Sequence, residues 1–377
     1  MILLQTFWGK NIKILIKKSI LITKFVLKKI YHFFRLYDIT ENKLHYPVSL
    51  QFPITNKCNL DCLMCNIKCK NTSKEISLEI LNQTMHSKLF KKITSVGVNG
   101  GEPFVMVDIV ERISVLVTSL PKLKSIYIIS NGTLTDIMVK KLPLIYEICK
   151  RNKIYFQLSI SIDGIGKIHD KVRCKDGTFD KALNTINIIN ANLNKYCDYL
   201  NVICTVSKAN VYNLPETDEF AKIKGWSISY NIATVHERLF NYNKINSFSI
   251  FDDQISKNLA IEFFYKKFLE TKSEIYFSIY LYLLSDGKHR PCNCFYLRKG
   301  ITLSPEGNVC YCATHSKELG NVCKDDIKQL YFSNKKYNDY IRNNYCSECS
   351  HYMMGNMYFK DYLKYINEVI GSYNYKL

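Results

Sequence analysis

From Tyr46 to about residue 233 the chain repeats one pattern: a short apolar segment, a turn, then a longer segment of helical periodicity. Segments 48–54, 93–98, 125–129, 154–162, 200–206 and 227–233 read as strands. Segments 76–92, 106–119, 134–151, 178–194 and 213–223 read as helices. Regular alternation of this kind implies parallel strands joined by helical crossovers, an α/β architecture. Hydrophobic residues make up 47% of the 377 positions, enough for a real core, and the length suits one large domain with a smaller one.

The turn after the first strand carries unusual chemistry. Residues 55–66 read Thr-Asn-Lys-Cys-Asn-Leu-Asp-Cys-Leu-Met-Cys-Asn, placing Cys58, Cys62 and Cys65 at spacings of three and two intervening residues. Three thiolates converging at short range suit three corners of an iron–sulfur cube and leave one iron open for chemistry. A zinc ribbon pairs two CxxC knuckles instead, and three buried cysteines without a metal would invite oxidation.

The Cys58-x3-Cys62-x2-Cys65 run after a strand resembles the signature of the radical S-adenosylmethionine (radical SAM) enzymes, with Met64 where an aromatic residue is usual. The resemblance implies an open, partial (βα)6 TIM-like barrel whose site lies at the carboxyl ends of the strands. It also implies a 4Fe–4S cluster on the three cysteines and bound SAM as cofactors. The reduced cluster would cleave SAM to a 5′-deoxyadenosyl radical, which takes hydrogen from an unactivated C–H bond.

Further segments resemble the family's later motifs. Gly100-Gly101-Glu102-Pro103 looks like the stretch that contacts the methionine end of SAM, although a Gly-Gly pair by itself is usually only a turn. Asn131 in Ser130-Asn131-Gly132-Thr133 matches the turn after the third strand, with a plain left-handed turn as the competing reading. Ser161 and Asp163 share one face of the fourth strand, where a hydroxyl and a carboxylate can receive ribose hydroxyls or an ammonium; a capping Asp is the alternative. His169, Asp170 and Arg173 follow. His236, Glu237 and Arg238 after the sixth strand are either substrate or SAM-carboxylate contacts, or a solvated helix start.

A second group of cysteines begins at residue 292. Cys294 and Cys312 flank a hairpin with the turn Pro305-Glu306-Gly307-Asn308, and Cys346-x2-Cys349 adds two more thiols. These four can close a second 4Fe–4S cluster or an all-cysteine zinc site. The arrangement resembles the SPASM and shorter twitch extensions of radical SAM enzymes. No cysteine follows Cys349, which points to the twitch form and one auxiliary 4Fe–4S cluster. Cys292, Cys310 and Cys323 lie near enough to replace an assigned ligand.

The net charge of +19 is uneven: residues 1–50 hold nine basic and two acidic side chains. Lys10, Lys13, Lys17, Lys24, Lys28 and Arg35 fall within about 60° of one another on a helix, a basic stripe beside a mostly apolar face. Either this helix lies on an anionic membrane surface, or it packs on its own barrel. No uncharged run is long enough to span a bilayer. Lysine outnumbers arginine, which makes nucleic acid an unlikely partner.

The expected organisation is therefore a basic amphipathic helix (1–45), the barrel (46–240), a linker with a closing helix (241–289), the auxiliary-cluster extension (290–352) and a helical tail (353–377). The expected function is oxidative modification, by dehydrogenation or crosslinking, of a peptide or protein, or of a sugar or aminocyclitol. A one-electron reductant such as flavodoxin or ferredoxin serves a cytoplasmic enzyme that is peripheral at the inner face of the membrane if the helix binds lipid. No leader-binding domain is visible before the barrel, and the ending Asn-Tyr-Lys-Leu lacks the glycine-rich tail of molybdopterin-pathway members. RNA modification and a zinc-binding adaptor are the rivals from other classes.

Overall fold

The structure, a computed structural model, describes residues 43–70, 74–351 and 353–374. The basic stripe of residues 10–35 lies outside the described residues.

Six strands follow in order: β1 (Ser49–Thr55), β2 (Ser95–Gly100), β3 (Ser125–Ser130), β4 (Tyr155–Ser161), β5 (Tyr199–Val206) and β6 (Ile228–Ile232). Each is parallel to the next and hydrogen-bonded to it. The crossovers contain α1 (Leu78–His86), α2 (Ile109–Ser119), α3 (Thr135–Arg151), α4 (Lys167–Arg173), α5 (Thr178–Ala191) and α6 (Leu214–Ile223). The sheet is open, a partial barrel. Every residue of β1 is buried, as expected for a parallel strand covered on both faces. Pro53 lacks an N–H for the ladder, and the register with β2 shifts between Pro53 and Thr55. The chain leaves the sheet there and enters the cysteine loop.

On the other side of β1 the sheet continues. β7 (Gly300–Leu303) runs parallel to β1, and β8 (Asn308–Cys310) and β9 (Gly320–Asn321) follow antiparallel. The hairpin between the later cysteines is thus an extension of the barrel sheet, in the order β6-β5-β4-β3-β2-β1-β7-β8-β9. Leu297, Ile301, Leu303, Val309 and Tyr311 join the same apolar core as Leu50, Phe52 and Ile54 of β1.

At the opposite edge, residues 241–289 form more than a linker. Helices α7 (Gln254–Thr271) and α8 (Glu274–Leu284) pack as a pair, and Phe263 meets Tyr230 of β6 edge-on at 4.8 Å. The pair shares a second core with β5, β6 and the C-terminal helix α9 (Phe359–Asn374).

Candidate active site and auxiliary cluster site

The cysteine loop is held by backbone contacts from three directions. Gly101 N–H donates to the Thr55 carbonyl (2.8 Å) and Glu102 N–H to the Lys57 carbonyl (2.9 Å). A Cβ on Gly101 would stand 2.0 Å from the Lys57 oxygen, and one on Gly100 (φ +132°) 2.3 Å from that of Thr55. The two glycines let β2 press against the loop that carries the thiols. From below, Leu63 N–H donates to the Val172 carbonyl (2.9 Å). From the far side come Asn241 Nδ2 to the Met64 carbonyl (2.8 Å), Lys244 Nζ to the Cys65 carbonyl (2.8 Å) and Asn66 N–H to the Leu239 carbonyl (2.9 Å).

Cys58, Cys62 and Cys65 line one wall of a cleft of about 170 Å³. The opposite walls are Asn99, Gly100, Gly101, Ser130, Asn131, Ser161 and Thr205, at the carboxyl ends of β2 to β5, with Arg173 from the end of α4. Of the residues expected to touch SAM, Gly100, Gly101, Asn131 and Ser161 line this cleft. Glu102, Pro103 and Asp163 do not.

Glu102 is wholly buried and works from behind. Its carboxylate accepts from Asn131 N–H (2.7 Å), Ser130 Oγ (2.8 Å) and Phe104 N–H (3.1 Å), binding the turn after β3 to the turn after β2. Burial raises its pKa, against the pull of these donors. Glu102→Ala is expected to cost about 1–3 kcal/mol for each donor left without an acceptor and to raise the KM for SAM by loosening Asn131. Urea unfolding and SAM titration check this; unchanged values in both would remove the positioning role.

Asp163 is likewise sealed, with no solvent exposure. Its carboxylate accepts from Thr205 N–H (2.8 Å) and pairs with Arg173 at 2.6 Å. Arg173 Nη1 also approaches Cys62 Sγ at 3.7 Å. Burial works against the guanidinium charge, but Asp163 and the Cys62 thiol overrule it and hold Arg173 protonated. Ser161 and Asp163 do not share one strand face as expected: β4 ends at Ser161, which lines the cleft, and Asp163 lies behind it.

His169 closes this corner. It is wholly buried, and its Nδ1 accepts from Asp163 N–H (3.0 Å), so a neutral ring carries its proton on Nε2. Burial, with Arg173 beside it, pushes its pKa down to about 3. An unfolded histidine titrates near 6.5, so on acidification the unfolded chain binds a proton that the folded chain refuses. Stability is complete above about pH 6.5 and falls by about 1.4 kcal/mol per pH unit from there toward pH 3. His169→Gln, which keeps an acceptor, is expected to flatten the pH–stability slope by about one proton relative to the parent chain. Parallel slopes in urea melts at pH 4.5–6.5 would refute the assignment.

The second group gathers four thiols. Cys346 hydrogen-bonds Cys294, lowering the pKa of Cys294 and raising its own, and Cys312 and Cys349 lie within electrostatic range of that pair. Burial pushes Cys349 up to about 12 and Cys312 up to about 11. The other candidates stand differently. Cys292 is fully buried with its thiol 3.9 Å from Met353 Sδ, Cys310 is raised to about 12 by burial, and Cys323 is exposed. Arg290, also buried, organises the loops. Nε donates to the Cys292 carbonyl (2.8 Å), and Nη1 to those of Cys349 (2.8 Å) and His351 (2.7 Å). These partners lie up to 61 residues away, and nothing in the local sequence signals them.

The donor chemistry fits iron–sulfur clusters at both places. Soft thiolates are the ligands such clusters take, and protons held on buried thiols are released when metal binds. Burial pushes Cys58 up to about 12 and Cys65 above its usual range. Among the described residues no three His, Cys, Asp or Glu side chains close around a single point tightly enough to hold one ion. The cleft also fits an amino-acid-like ligand: Asn99 lines it, and its buried Oδ1 accepts no hydrogen bond among the described residues. An ammonium group would satisfy it.

A half-open parallel barrel with a three-thiol loop after its first strand, and a second thiol set docked on its edge, is the architecture of a radical SAM protein. The model of the radical SAM superfamily matches residues 52–217, and that of the SPASM iron–sulfur cluster-binding domain matches residues 294–351. The chain carries a radical SAM domain, which binds a 4Fe–4S cluster and SAM, and a SPASM domain, which binds auxiliary iron–sulfur clusters. The antilisterial bacteriocin subtilosin biosynthesis protein AlbA of Bacillus subtilis is 24% identical over 298 residues, 78% of this chain and 61% of its own length. A GTP 3′,8-cyclase of Alkaliphilus oremlandii is 29% identical over 154 residues, 40% of this chain and 44% of the cyclase. The chain thus spans less than two thirds of either relative. The fold is that of anSMEcpe solved with bound AdoMet and a Kp18Cys peptide, with a TM-score of 0.58 and 21% identity over 87% of this chain and 98% of that one.

Proposed function

We propose that this chain is a peptide-modifying radical SAM enzyme that oxidises its substrate, by dehydrogenation or by forming a crosslink. The observation that carries the substrate class is the reach of the likeness to the subtilosin protein. It extends over 78% of this chain, whereas the likenesses to GTP 3′,8-cyclases cover from 36% to 60%. The solved relative with a bound peptide also matches over almost its whole length.

In this reading Cys58, Cys62 and Cys65 hold the cluster, and Gly100, Gly101, Asn131 and Ser161 face SAM. Glu102, Pro103 and Asp163 set those residues from behind. Bound there, cluster and SAM supply a carbon radical able to take a hydrogen atom from an unactivated C–H bond. The chain's own part is to orient the two and to keep water out. Asn99 offers its Oδ1 to the ammonium of SAM, and the ion-paired Arg173 keeps a fixed positive charge beside Cys62. Cys294, Cys312, Cys346 and Cys349 would hold one auxiliary 4Fe–4S cluster, which would supply a one-electron acceptor for a net oxidation. A flavodoxin or ferredoxin would deliver the reducing electron. Among the described residues no helix is long and apolar enough to cross a membrane. Peripheral attachment through residues 10–35 predicts flotation with anionic liposomes that a chain lacking residues 1–36 loses.

The test is anaerobic incubation with SAM, dithionite and deuterated candidate precursor peptides. Formation of 5′-deoxyadenosine that carries deuterium from one peptide is the expected result. Colourless protein that binds zinc and leaves SAM intact would overturn the reading, as would SAM cleavage that only RNA stimulates.

A further inference from the structure

One half-buried cation near the first thiol set carries an enclosed donor, Arg238 Nη1, that has no acceptor among the described residues. Arg238 sits on the short 3-10 turn Glu237–Leu239. That turn is tied to the cysteine loop: Asn66 N–H donates to the Leu239 carbonyl (2.9 Å), Asn66 Nδ2 to that of Phe240 (3.2 Å), and Asn241 Nδ2 to that of Met64 (2.8 Å). Its other side meets the auxiliary domain, where Glu237 N–H donates to the Thr314 carbonyl (3.1 Å). Arg238 Nη1 is enclosed without a hydrogen-bond partner, and among the described residues no carboxylate forms an ion pair with it. The neighbouring His236 is buried, packs edge-on against His351 at 5.1 Å, and burial keeps it neutral. Burial opposes the Arg238 charge, and the one group that favours it is the Cys65 thiolate.

An enclosed guanidinium N–H without an acceptor is costly, and a chain tolerates one where an anion is present in the working state. Three thiolates around an iron–sulfur core make a body of net negative charge beside Cys65. We infer that Arg238 is a potential-setting residue of the cluster at Cys58, Cys62 and Cys65, donating Nη1–H to a sulfur at the Cys65 corner. Reduction adds one negative charge to that body, and a partly desolvated cation next to it favours the reduced form. Hydrogen bonds and charges around the ligands set such potentials as much as the ligands themselves do. Arg173 serves the Cys62 corner while bound to Asp163; Arg238 has no carboxylate to share its charge, so its effect on the cluster is the less diluted of the two.

This inference rests on the cluster assignment above, and its test separates the two. Reconstituted wild-type, Arg238→Gln and Arg238→Lys proteins are titrated with dithionite under EPR. The cluster in question is recognised as the signal that added SAM perturbs. The expected result is a more negative midpoint for Arg238→Gln at unchanged iron content, with Arg238→Lys recovering most of the difference. A Gln variant that titrates with the wild type overturns the inference, as do Gln and Lys variants shifted equally. Loss of the SAM-sensitive signal from both variants, with thermal unfolding unchanged, also overturns it and makes Arg238 a structural tie of the loop. If the wild type itself shows no signal that responds to SAM, the cluster assignment is what has failed.

Discussion

Replacing Cys62 with alanine is expected to reduce 5′-deoxyadenosine formation to the background of SAM with dithionite alone. Cys62 is the buried member of its triplet, and it faces the Arg173 guanidinium at 3.7 Å as well as the cleft. Two remaining thiols cannot hold three corners of a cluster, whereas the four thiols of the auxiliary domain are untouched. Iron and sulfide should therefore fall by one cluster's worth while the SPASM-domain share remains. Anaerobic metal analysis with nucleoside chromatography measures both quantities. Turnover at the parental rate would show that the active cluster lies elsewhere.

The second large effect concerns stability. Arg173→Leu strands the Asp163 carboxylate, which has no solvent exposure and one ionic partner. Removing one member of a buried ion pair costs about 3–5 kcal/mol, because the other charge stays desolvated and uncompensated. Combining Arg173→Leu with Asp163→Asn should return much of that loss, since no charge is then left unpaired. Activity should not return with it, because Cys62 has still lost the cation beside it. Urea unfolding of the two single variants and the double variant measures the coupling. Additive effects of the two changes would mean that the pair is energetically inert.

Much of the barrel is legible in the chain because strand and helix periods are local properties. The six strand positions agree with the observed ones to within about two residues, a usual margin for element ends. The short helix α4 has no counterpart in the periodicity, since seven residues give too few turns to show an apolar face. The aromatic stretch read as a linker with a closing helix holds two long helices whose packing on β6 depends on partners tens of residues away. Glu102 reads as a ligand contact within its motif, yet its acceptor duty toward Ser130 and Asn131 exists only once β2 and β3 lie side by side. His169 and Arg290 carry no local signal of their roles, because each acts on backbone groups that the fold brings to it.

The order of residues alone determined which thiols can act together: spacings of two and three bring sulfurs within reach in almost any compact turn, and alternating periods dictate a parallel sheet. Tertiary structure decided what surrounds them. It joined the auxiliary hairpin to β1 as a continuation of one sheet, sent Asp163 and Glu102 behind the cleft instead of into it, and enclosed Arg173 and the Nη1 of Arg238 beside the thiols. The physical reason is that desolvation and charge pairing depend on groups distant in sequence, and only the packed chain sets which of them meet away from water.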